Sequence, residues 1–140
     1  MTREQTGLRL AAAVTVGFGL LLALAAVPAL AAPTRLLADI LIWPLDGTES
    51  LASTETRLML AIAGGVMAGW GWLVWQLAGE ALVQDPERTR RLIRQSVLIW
   101  FAVDSTASIA AGVPLNVIGN LAFAALYLLP MRRGRGAHPA

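Results

Sequence analysis

Asp104 stands in "IWFAVDSTASIAAG", residues 99–112, an apolar stretch that also carries Ser105, Thr106 and Ser108. A carboxylate in such surroundings can accept hydrogen bonds, hold a proton, or anchor a donor group of a ligand. At hydrocarbon depth a charge costs at least about 2.5 kcal/mol, so it should face protein and find a partner. Asp104 lies eight residues before Gly112, about 12 Å at helical rise. Asn120 lies six residues after Pro114, about 9 Å along the next segment. The two groups should therefore be nearly level. Asn116, Asn120, Phe123 and Tyr127 follow i, i+4, i+7, i+11 spacing and share a helical face, while Asp104 and Ser108 share one of the preceding helix. The spacing predicts Asp104 within direct or one-water reach of Asn120. Three roles stay open: hydrogen-bond glue between helices, a polar anchor for a ligand, and a proton or ion site. Arg57 is a candidate counter-ion for Asp104.

The remaining chemistry-bearing residues say less. Gln76 and Glu80 belong near a helix end, at an interface rather than in a core. "WGWLVW", with Trp70, Trp72 and Trp75, reads as an aromatic belt, with a quinone-like or lipid pocket as the sharper alternative. His138 is the single histidine and sits in the tail "GRGAHPA"; the chain has no cysteine. Haem, zinc and thiolate chemistry are thus disfavoured, and no cofactor is expected. Gly-rich phosphate loops, nucleophile elbows and metal-spaced acids are missing from the sequence. An enzyme is not the favoured reading.

These groups need elements to position them. The chain of 140 residues is 56% hydrophobic and 14% charged, with a mean hydropathy of +0.63. A soluble domain of that composition would expose aggregation-prone patches, so a bilayer is the expected solvent. Four apolar stretches, residues 8–32, 58–79, 92–112 and 114–131, are long enough to span about 30 Å as helices. The expected fold is an all-α, integral membrane four-helix bundle in a single domain over residues 1–131, with a disordered cytoplasmic tail over 132–140. The first stretch also resembles a signal peptide ending in "ALAAP", but is longer than a usual signal core; retention as a helix is expected.

Arginine placement gives the orientation. Arg3, Arg9, Arg88, Arg90, Arg91, Arg94, Arg132, Arg133 and Arg135 fall on one side, and only Arg35 and Arg57 on the other. Both termini are then cytoplasmic. "QDPERTRRLIRQ" predicts a helix start with Asp85 as N-cap and Pro86 at N1. "AAGVPLN" predicts a tight hairpin, with Gly112 ending one helix and Pro114 opening the next. In the first outer loop, Leu36, Leu37, Ile40 and Leu41 share a face, with Arg35 and Asp39 elsewhere. That pattern predicts a short amphipathic interfacial helix anchored by Trp43 and stopped at Pro44. Gly65 and Gly69 form a small-xxx-small pair expected to permit close helix packing.

"WPLDG", "TRLMLAIAGGVMAGWG", "WFAVDSTASIAAGVPLNVIGN" and "LYLLPM" resemble a group of small four-helix bacterial inner-membrane proteins of unknown function, over most of residues 39–131. In topology the chain also resembles DoxX-like membrane proteins. The resemblance implies a multi-pass bacterial inner-membrane protein and assigns no catalytic residue. The expected function is a non-enzymatic binding or accessory component for a lipid-like small molecule or another membrane subunit. A small oligomeric transporter or channel using Asp104 is the alternative. Expected partners are membrane lipids and a homo-oligomer or larger membrane complex, with no nucleic acid.

Overall fold

The computed structural model describes residues 1–134, and these are helical throughout apart from their connections. Helix α1 spans Arg3–Leu24, α2 Ala32–Ile42, α3 Thr54–Gln76, α4 Pro86–Ala110 and α5 Asn116–Gly134. A short 3₁₀ turn, Pro28–Leu30, precedes α2. Past Gln76 the chain of α3 continues through a π-type segment, Leu77–Ala81, to Gln84. His138 and Arg135 lie outside the described residues, as does most of the expected tail. The helix of α5 runs on through residues 132–134.

Each helix starts where the sequence can satisfy its first amides. Thr2 and Gln5 form a reciprocal capping box on α1, Gln5 N donating to Thr2 Oγ1 at 3.1 Å and Thr2 N to Gln5 Oε1 at 2.8 Å. Ser53 Oγ accepts from Thr56 N at 3.1 Å ahead of α3. Asp85 Oδ1 accepts from Arg88 N at 3.0 Å, with Pro86 at the first position, as expected. At the other end of α4, Gly112 takes a φ of +79°. Gly112 N then donates to Ile109 O and Val113 N to Ser108 O, closing the last turn. The following helix opens two residues later than expected, at Asn116, after a 3₁₀-like turn over Pro114 and Leu115.

Two of these helices are long and apolar enough to cross a membrane by length and composition: α1, and α3 with its extension to Gln84. The four spans expected from sequence narrow to two by this measure. Both α4 and α5 carry more polar cargo: α4 opens with four arginines and holds Asp104, and α5 holds two asparagines and has Arg132 and Arg133 in its last turn.

The residues fall into two compact units: 1–13 with Trp72 onward, and Val14–Gly71. In the first unit Leu8, Ala12, Val74, Ala78, Ile93, Val97 and Tyr127 are buried. Gly7 lies against Pro130 of α5; a Cβ there would come within 2.7 Å of its ring. Glu4, although charged, is also buried, and its carboxylate takes Arg90 Nε at 2.7 Å and Nη2 at 2.6 Å. That hydrogen bond holds the Arg90 guanidinium above its ordinary pKa. Arg9, expected as a topology marker, also stacks over the Trp75 ring at 5.3 Å.

In the second unit α1 and α3 meet through glycine, in a different register from the one expected. A Cβ on Gly19 would lie 2.6 Å from both Ala68 N and Gly64 O; one on Gly64 would strike Gly19 O and the Ala23 backbone. Gly65 and Gly69 have nothing within 4 Å of a built Cβ and are exposed. The packing pair is therefore Gly64 and Ala68, one residue earlier along α3, and the expectation for Gly65 and Gly69 is corrected. A one-residue shift rotates a helix face by about 100°, which is enough to exchange inside for outside.

The short helix expected in this loop is present as α2, yet its polar side is not simply solvated. Leu36, Ile40 and Trp43 are exposed, whereas Thr34 and Asp39 are buried. Asp39 Oδ1 accepts from Gly47 N at 2.9 Å and Asp46 N at 3.2 Å, and Thr34 Oγ1 donates to Leu21 O at 3.1 Å. Asp39 organises the loop that follows α2.

Candidate functional site

The sequence separation between Asp104 and Asn120 is short, and the Gly112 turn folds α4 back against α5. That hairpin concentrates five of the expected polar residues at one place. Asn120 Nδ2 donates to Asp104 Oδ1 at 2.7 Å and to Ser105 Oγ at 3.1 Å. Asn116 Nδ2 donates to Asp104 Oδ1 at 2.8 Å and to Ser108 Oγ at 2.9 Å. Ser108 Oγ donates to the same carboxylate oxygen at 3.3 Å. The predicted Asp104–Asn120 bond is direct.

The arrangement is lopsided. Oδ1 of Asp104 collects three donors, and among the described residues Oδ2 has none. Both amide NH₂ groups are spent on α4, so each asparagine uses its two hydrogens across the hairpin. Ser105 and Asn120 are buried, and Asp104, Ser108 and Asn116 are half-buried. The carboxyl group is held by neutral donors, two amides and a hydroxyl. What the cluster leaves over is an acceptor, Oδ2, suited to a hydroxyl, amine or ammonium donor.

Residues expected nearby have other duties. Tyr127 shares the face of Asn120, but its buried hydroxyl donates to Ala11 O of α1 at 3.4 Å, so it belongs to helix packing rather than to the carboxylate centre. Phe123 stacks obliquely on Trp100 with centroids 6.0 Å apart, an apolar layer one turn from Asp104 along α4. Arg57, the expected counter-ion, reaches Thr54 Oγ1 of its own first turn at 3.4 Å; the partners of Asp104 are amides and a hydroxyl instead. Glu80 and Gln76 are exposed, as expected, and Glu80 Oε1 accepts from Gln84 Nε2 at 2.7 Å.

Sequence reasoning missed the Glu4–Arg90 pair, 86 positions apart. The only hint was an acid inside the first turn of an otherwise apolar helix. It also missed Gln5, whose Nε2 donates to Gly79 O at 3.3 Å, where the π-type segment departs from helical geometry. No family model, curated protein or solved structure matches the chain.

Proposed function

We infer that the chain is a four-span, multi-pass protein of a bacterial inner membrane with both termini cytoplasmic, and that it acts as a non-enzymatic binding or accessory component. The ligand carries a hydrogen-bond donor on a lipid-like or otherwise apolar body. The observation that carries this reading is the lopsided carboxylate: one Asp104 oxygen saturated by three donors, the other presented without a partner. Glue alone would use only the saturated oxygen.

The span reading draws support from the outward faces of the two more polar helices. Ile99, Val103 and Ile109 of α4 and Ile118 and Leu121 of α5 are more than half exposed. Apolar side chains outward and asparagines inward suit hydrocarbon surroundings better than water. The resemblance in sequence pattern to small four-helix bacterial inner-membrane proteins of unknown function supports this reading.

Native mass spectrometry of the full chain in mild detergent tests the proposal. Wild type should carry a co-purifying small molecule that Asp104→Asn loses while keeping its thermal stability. Wild type without bound mass, or equal bound mass in both proteins, rejects ligand anchoring at Asp104. An oligomeric transporter is the second reading, favoured by the open Gly65 and Gly69 face of α3. It requires liposome flux that Asp104→Asn abolishes.

A further inference from the structure

At the arginine-rich end of the α4–α5 hairpin, a cavity of about 300 Å³ is lined by Arg90, Arg94 and Leu98 of α4 and by Leu128, Met131 and Arg132 of α5. The α4 residues repeat every four positions and the α5 residues sit within one turn, so each helix contributes a single stripe. Arg90 is committed to Glu4 through two hydrogen bonds. Arg94 and Arg132 are exposed and make no hydrogen bond or ion pair among the described residues. Three guanidinium groups thus surround the cavity with one of them neutralised by Glu4; Glu87, one turn before Arg90, is exposed. The floor is apolar, and Leu98 and its neighbour Ile99 remain about half to two-thirds exposed at 48% and 66%.

We propose that this groove binds the phosphate of an anionic glycerophospholipid, with Arg94 and Arg132 as its hydrogen-bonding clamp. Guanidinium matches phosphate oxygens in a planar fork. Basic pockets between helices at the headgroup level are a recurring way to select anionic lipids. The cavity holds a headgroup and not a whole lipid, so the acyl chains continue along Leu98 and Ile99. A free anion would leave that apolar floor wet. The inference rests on the membrane reading above, but uses a site separate from Asp104.

The test uses the full chain in nanodiscs of phosphatidylcholine with and without phosphatidylglycerol, with retained lipids counted by native mass spectrometry. Wild type should retain phosphatidylglycerol in preference to phosphatidylcholine. Arg94→Gln with Arg132→Gln should weaken that retention by roughly tenfold or more, whereas Arg91→Gln, outside the cavity, should not. Matching melting curves in pure phosphatidylcholine establish that the double variant is folded. Equal retention by wild type and double variant overturns the proposal. So does equal retention of the two lipids, or displacement of phosphatidylglycerol by millimolar inorganic phosphate. Carbonate extraction separates the failures: a chain released from membranes overturns the membrane reading and this site together, while an integral chain with no lipid preference overturns this site alone.

Discussion

At the scale of single residues, the decisive contrast is between Asp104→Asn and Asp104→Leu. Asparagine can keep its carbonyl where Oδ1 stands, preserving all three accepted bonds, and exchanges only Oδ2 for an amide. Leucine removes the acceptor from Asn116, Asn120 and Ser108 together. Asp104→Leu should destabilise the protein by roughly 2 kcal/mol and Asp104→Asn by less than about 1 kcal/mol, measured by thermal or denaturant unfolding in detergent. Asp39 invites a parallel test: Asp39→Ala strips the acceptor from two loop amides and should raise hydrogen exchange at Asp46 and Gly47. Asp46 itself has a pH signature. The hydroxyl and amide of Thr48 hold its carboxylate below the ordinary value of 3.8. A depressed acid contributes stability above its unfolded pKa and loses it as pH falls through the folded value. The protection factor of the Thr48 amide should therefore fall in acid below about pH 4. Asp104 was legible in the sequence because depth along a helix is simple arithmetic and its partners are close in the chain. Asp39 was not: its buried setting comes from the loop folding back, which helical periodicity does not encode.

At the scale of elements, glycine tests the helix contact. Gly64→Ala places a methyl against the backbone of Gly19 and Ala23, which cannot yield as a side-chain tip would. It should cost about 2–3 kcal/mol. Gly65→Ala meets open space and should be neutral or stabilising by up to about 1 kcal/mol, since alanine loses less freedom in a helix. Reversed effects in unfolding measurements would restore the Gly65–Gly69 register. The sequence shows that α3 has small residues at two adjacent i, i+4 registers, Gly64/Ala68 and Gly65/Gly69. Choosing between them depends on the rotation of α1, where Gly19 and Ala23 supply the complementary hollow. Helix ends were more readable, because Asp85, Pro86 and Gly112 act through local bonds.

At the scale of the whole molecule, arginine placement sets the expected topology. A reporter fused after Arg135 should show a cytoplasmic C-terminus; periplasmic activity would overturn the four-span reading. The Glu4–Arg90 pair ties the start of α1 to the start of α4, and Glu4 is 7% exposed. Removing one partner leaves a charge without its complement. Glu4→Gln should lower stability by about 1–3 kcal/mol, and the unfolding midpoint reads this directly.

The hairpin clasp also bears on biogenesis. Asp104 gains two of its three donors only when Asn116 and Asn120 are already beside it, and α4 on its own is less apolar than α1 or α3. On the four-span reading, α4 and α5 must then leave the translocation machinery as a pair, folded at the Gly112 turn before they meet lipid. A nascent chain stopped at Val113 should leave α4 outside the bilayer in a glycosylation-mapping assay. Extending the chain through α5 should carry both helices across.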